Sequence, residues 1–145
     1  MIASNDIYEA IKQIIPQELP TKFGYIDISK VKNEKTEVLK NTVAIYIRAA
    51  GDGIRDIKGG YKIETARVIF NIYTDRGEKG VLFGESYCKA ICDALDSCYN
   101  QAIETEGAHL LVMQFNRQGR PVYLGPTEQG ISTFSINYVI KYSGK

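Results

Sequence analysis

Thr65-Ala66-Arg67-Val68-Ile69-Phe70-Asn71-Ile72 sets Ala66, Val68, Phe70 and Ile72 against Thr65, Arg67, Ile69 and Asn71, the two-residue period of a strand with one buried face. The same alternation precedes it in Val43, Ile45 and Ile47 against Ala44, Tyr46 and Arg48. It returns near the end in Ser132, Phe134, Ile136, Tyr138 and Ile140 against Thr133, Ser135 and Asn137. From about Val81 to Tyr99 the period changes. Leu82, Ala90, Ile91, Ala94, Leu95 and Cys98 fall at helical intervals, with Glu85, Lys89, Asp93 and Asp96 mostly elsewhere, which predicts one long helix covering a sheet. Leu110 to Phe115 reads as a further strand, followed by a turn at Gln118-Gly119-Arg120-Pro121.

Upstream, Ile7, Ile11, Ile14 and Ile15 follow the capping candidates Ser4, Asn5 and Asp6 and precede Pro16 and Pro20, so a short amphipathic helix opens the chain. Phe23 to Ile28 predicts a strand, and Ser29 to Asn41, rich in Lys and Glu, a solvated connection. Ala50 to Gly60 holds four glycines between two paired strands and predicts a long functional loop. The expected fold is α+β, a mostly antiparallel β-sheet flanked by an N-terminal helix and one main helix, in a single domain over residues 1–145.

Composition bounds the function. The 145 residues are 44% hydrophobic and 24% charged, a globular balance that excludes disorder and collagen-like structure. A formal net charge of +1 gives no reason for non-specific nucleic-acid binding. No apolar run approaches the roughly 18 residues that cross a bilayer, and the polar N-terminus lacks a basic leader, so a soluble cytoplasmic product is expected. Cys88, Cys92 and Cys98 cluster in the main helix, a poor disulfide framework, and read as reduced thiols.

No catalytic constellation emerges. His109 is the only histidine and has no carboxylate or cysteine beside it in sequence, so it reads as structural or solvent-facing. Cys88 and Cys92 do not complete a tetrahedral metal site with one distant histidine and read as small buried residues. Asp93 and Asp96 read as a solvated helix face. Gly51-Asp52-Gly53 lacks the remaining residues of dinucleotide, phosphate-loop and calcium-loop fingerprints. The expectation is therefore no enzyme, no cofactor and no metal. Ten tyrosines suit a contact surface, though tyrosine is also an ordinary strand residue. Lys30, Lys32, Lys35 and Lys40 are interrupted by Glu34 and Glu37 and offer no stacking platform.

The order of features carries more than any one of them. Gly51-Asp52-Gly53-Ile54-Arg55-Asp56, Gly60-Tyr61 leading into Ala66 to Tyr73, and the helix from Ser86 to Ser97 with Ile91-Cys92-Asp93-Ala94-Leu95 come first. They are followed by Leu110 to Phe115, Pro121-Val122-Tyr123-Leu124-Gly125, and Gly130 with Phe134-Ser135-Ile136-Asn137-Tyr138-Val139-Ile140. This succession resembles the tail-terminator proteins of long-tailed bacteriophages, also labelled minor capsid or tail-completion proteins, over about the last two-thirds of the chain.

The resemblance implies a structural virion protein at the head-tail joint, present in host cytoplasm during assembly. Its subunits form a ring, usually a homo-hexamer and in some cases only on the tail. The ring caps the tail tube, stops tube polymerisation and offers a surface to the head-closure or connector protein, while DNA passes through the bore without sequence-specific binding. A head-closure or adaptor subunit is the alternative. The residues expected to touch a neighbouring subunit or tail ring are Asp52, Ile54, Arg55 and Asp56 in the long loop, with Arg117, Arg120 and Tyr123 near the hairpin. No membrane partner is expected.

Overall fold

A computed structural model describes residues 2–24, 41–49, 54–57, 61–127 and 130–144, with 49, 54–57, 61, 62 and 76 described by backbone alone. Helix α1 (Ser4–Ile14) is followed by strands β1 (Thr21–Phe23), β2 (Thr42–Ala49), β3 (Ile54–Ile57) and β4 (Tyr61–Arg76). Helix α2 (Gly77–Asp96) then leads to β5 (Tyr99–Glu104), β6 (His109–Arg117), β7 (Val122–Pro126) and β8 (Ile131–Gly144). The sheet runs β1-β2-β4-β8-β6-β5, with β3 on β4 and β7 on β8. Every pairing is antiparallel except β1 with β2, so the α+β, mostly antiparallel expectation holds.

The alternating apolar residues of the three central strands share one face. Val43, Ile45 and Ile47 lie opposite Ile72, Phe70 and Val68, and these lie opposite Phe134, Ile136 and Tyr138. Both helices lie over this face and share one core with it. α1 contributes Ile7, Tyr8, Ala10, Ile11 and Ile15, and α2 contributes Cys88, Ile91, Cys92 and Leu95. α1 also spans the two margins of the sheet. The Tyr8 hydroxyl reaches Thr21 Oγ1 of β1 at 3.5 Å, and Gln13 Nε2 donates to the Glu104 carbonyl of β5 at 3.0 Å. A flat sheet of six strands places its margins about 24 Å apart at roughly 4.8 Å per spacing, so one helix touches both only because the sheet curls around it.

Local details depart from the sequence reading. The residue preceding α1 is Ala3, whose N–H donates to Asp6 Oδ2 at 2.9 Å; Asp6 thus caps from inside the first turn. The strand expected over Phe23 to Ile28 shares only Phe23 with β1, and residues 25–40, with the rest of that expected strand and most of the expected connection, lie outside the described residues. α2 starts directly after β4, before the expected Val81. Its buried face begins with Gly80 and Gly84, which carry no hydrophobic signal. Leu82, expected on that face, is 60% exposed. β5 was not anticipated, because Ile103 alone among its residues is buried.

The turn expected at Gln118 to Pro121 is not a chain reversal. β6 and β7 both pair with the same side of β8 and run in the same direction: Arg117 faces Tyr138, and Val122 resumes opposite Ser135. Residues 118–121 form a wide bulge opposite the two residues Ile136 and Asn137, held by Gln118 N–H donating to the Asn137 carbonyl at 2.8 Å. Gly119 takes φ 84° there, which glycine adopts without strain. The hairpin expected near Arg117, Arg120 and Tyr123 is therefore one interrupted strand line. β2 and β3 repeat the arrangement on β4, with Ala49 facing Ala66 and Ile54 facing Ile63. The stretch read as a long loop from Ala50 to Gly60 thus contains a strand.

Candidate functional site

The bulge between β6 and β7 faces the exposed flank of α2 across an open groove of about 590 Å³. Arg117, Arg120, Pro121 and Tyr123 line one wall; Glu85, Lys89, Asp93 and Asp96 line the other, over a floor that includes Cys88, Cys92 and Phe134. The walls are joined at both ends. At one end Asp96 accepts a 2.8 Å hydrogen bond from the Tyr138 hydroxyl, and its second oxygen lies 3.7 Å from Arg117 Nη2. At the other, the Tyr123 ring lies tilted by 40° against Phe134 with ring centroids 5.0 Å apart, and Phe134 lies under Gly84, where a side chain would overlap the ring.

Asp93 and Asp96 are exposed, as expected of a solvated helix face, and the structure places both on the groove wall. Asp93 is occupied by Lys89 at 2.7 Å, with the two side chains 66% and 78% exposed, an i,i+4 pair largely screened by solvent. Arg120 has no ion-pair partner among the described residues. Cys88 and Cys92 are buried, as expected, and so is Cys98.

Burial pushes the Cys88 thiol up to about 12, with Cys92 and Glu85 adding in the same direction. Burial also raises the Tyr138 hydroxyl, followed by its contacts with Cys92 and Asp96. Near neutral pH these groups keep their protons. A thiol with a higher pKa folded than unfolded stabilises the native state fully below its ordinary value of 9.0, and that contribution is lost as pH rises toward 12. The urea midpoint is therefore expected to fall between pH 9 and 11, and less steeply in Cys88→Ala. Iodoacetamide at pH 8 should leave Cys88 unmodified in the folded protein. Rapid native alkylation of Cys88 would contradict its burial.

Of the residues singled out in the sequence, Arg117, Arg120 and Tyr123 meet at this groove. Ile54, Arg55 and Asp56 belong to β3 at the other end of the central strands, and Asp52 lies outside the described residues. The α2 residues of the groove were missed as a site, since only the fold brings them to the bulge. His109 does have a carboxylate beside it: Glu104, its cross-strand partner, lies 3.4 Å from Nδ1. Both side chains are 75% exposed, and neither lines the groove.

β3 and β7 occupy opposite corners of the sheet. β3 pairs with β4 near Ile63, which faces Ser143 of β8, whereas β7 pairs with β8 near Phe134, which faces Ile72 of β4. They also lie on opposite sides of the β4–β8 pair. Among the described residues, each has one unpaired side. On β7 that side accompanies Val122, Tyr123 and Leu124, exposed to 51%, 49% and 61%, an apolar edge that invites another chain.

Among the described residues, no group of three or more His, Cys, Asp or Glu is placed to hold a metal ion, and no helix is long and apolar enough to cross a membrane. No protein-family model matches the chain, and no curated protein matches it. One solved structure is similar over 100% of this chain and 97% of its own, at 16% identity and a TM-score of 0.49, a likeness too distant to carry family or function.

Proposed function

We propose that this chain is a ring-forming subunit that closes the tail tube of a long-tailed bacteriophage, stops its polymerisation and presents a surface for head joining. The observation that supports the reading is that β3 and β7, unlike strands at opposite corners of one sheet, each leave one side unpaired among the described residues. An isologous dimer uses one patch twice, whereas a ring needs two different patches on each subunit. Self-association through unlike edges leaves the flat ends of the ring free for the tube protein on one side and the head connector on the other. The net charge of +1 suits a bore through which DNA slides without being held.

Deleting the gene from the encoding phage or prophage and imaging the tails tests the reading. Overlong or ragged tails separate from filled heads are expected. Normal tails with leaking heads would instead favour a head-closure or adaptor subunit, and unchanged particles would end the structural reading. Reversing charge at Arg55 together with Arg120 is expected to abolish capping while leaving the circular dichroism spectrum and melting midpoint intact; normal capping by that variant would remove both residues from the interface.

A further inference from the structure

We infer that the copies join by strand addition, β3 of one subunit lying along the open side of β7 in the next, so that one sheet continues through the interface. The inference rests on the ring reading above. Pro121 and Pro126 bracket the open part of β7 and have no N–H to donate. The proline-free stretch is therefore Val122–Gly125, four residues long, the same length as β3, Ile54–Ile57, and each carries one irregularity in its register with its own partner strand.

Direction also fits. β3 is antiparallel to β4, β4 to β8, and β8 to β7, so β3 and β7 run oppositely within a subunit. A neighbour set alongside in the same orientation brings its β3 antiparallel to β7. The two edges lie on opposite sides of the sheet, so each junction consumes one of each and the operation repeats. Their diagonal offset makes the strands cross the junction at a tilt, which a sheet needs in order to close on itself. A β7–β7 contact would leave every β3 edge open.

Chemistry supports the same occupant. β7 carries no charge between its prolines, and its three exposed apolar side chains lose water when covered. Arg120, at the β7 border and without an ion partner among the described residues, suits a partner strand whose sequence contains the acidic Asp56. Arg117 is already held by Asp96. β-strand addition supplies backbone hydrogen bonds for affinity and side chains for register.

The test is disulfide trapping during tail assembly in the encoding host, with the variant as the sole copy. Two double variants, Ile57→Cys with Val122→Cys and Asp56→Cys with Tyr123→Cys, pair residues that the antiparallel alignment sets opposite each other and cover both faces of β3. The native cysteines are buried, and the single variants control for them. At least one double variant is expected to give a ladder of multimers ending at one closed species, with the single variants monomeric. A dimer from Val122→Cys alone would overturn the proposal in favour of β7–β7 pairing. Uncrosslinked double variants on tails of normal length would overturn it while leaving the terminator reading standing; that reading fails separately if gene deletion leaves tails unchanged. If the variants do not accumulate in folded form, hydrogen exchange of the wild-type chain decides. Amides of β3 and β7 should be slowed at least tenfold in the assembled protein relative to the monomer, and equal rates would overturn the junction.

Discussion

Tyr138→Ala is expected to destabilise the protein by about 4–5 kcal/mol. Truncating a buried aromatic costs roughly 3–5 kcal/mol by itself, from lost transfer energy and the cavity left behind. Tyr138 is fully buried on the central strand β8. Its ring stands edge-on to Phe70 at 6.0 Å and to Phe115 at 6.1 Å, so its removal breaks two aromatic contacts from neighbouring strands. The hydroxyl adds a second effect, because it donates to Asp96 at 2.8 Å and ties the end of α2 to the sheet. Tyr138→Phe keeps the ring and removes only that bond, so a loss of about 1–2 kcal/mol is expected. Against a total stability of about 5–15 kcal/mol, the alanine variant should lose much of its urea midpoint and the phenylalanine variant little. Equal losses would mean that the hydrogen bond, not the packing, carries the position.

What the sequence made legible follows from burial. β2, β4 and β8 have one face covered by helices and the other facing outward, so Val43, Ile45, Ile47, Val68, Phe70, Ile72, Phe134, Ile136, Tyr138 and Ile140 print a clean period of two. α1 shows its buried face in the same way. The elements that were missed or misread lack such contrast. β5 is a margin strand with one buried residue, and in β7 the residues are exposed or half-buried throughout. Gly119 and Pro121 correctly signalled irregular backbone. Whether the chain reverses there or only bulges depends on β8, the partner of both flanking strands, and local turn chemistry does not contain that information.

The groove shows the same limit. Arg117, Arg120 and Tyr123 were readable as exposed side chains around a break. Asp96 looked like solvated helix until the curl of the sheet placed it 3.7 Å from Arg117. The charged pattern of α2 was read correctly as unburied, but an unburied flank facing solvent and one facing a groove have the same sequence. The two sets of singled-out residues were expected in a long loop and near a hairpin, with no spatial relation between them; β4 and β8, at 16 and 14 residues, are long enough to hold them at opposite corners.

Gly80→Ala is expected to cost about 2–4 kcal/mol, opposite in sign to the usual helical gain. Replacing an interior helical glycine by alanine ordinarily stabilises by about 1 kcal/mol. At Gly80 the added Cβ would sit 1.6 Å from the Asp75 carbonyl oxygen and 2.5 Å from its carbon. Those are backbone atoms of β4 and cannot rotate aside. The crowding arises because β4 passes into α2 through Gly77 at φ 76°, folding the first helical turn back onto the end of the strand. The buried Thr74 hydroxyl donates to the Gly80 carbonyl at 2.6 Å, so lifting the helix to admit a methyl also breaks that bond. Gly84→Ala meets the Phe134 ring at 2.3 Å, but a ring can tilt, and a smaller loss of about 1–2 kcal/mol is expected, with Tyr123 displaced into the groove. Gly77→Ala has open space around the new carbon and bears only the left-handed backbone strain, about 1–2 kcal/mol. Urea midpoints should therefore place Gly80→Ala below both other variants. A stabilised Gly80→Ala would show that the strand-to-helix elbow is not closed as tightly as the structure has it, and that α2 is free to shift against the sheet that forms the groove.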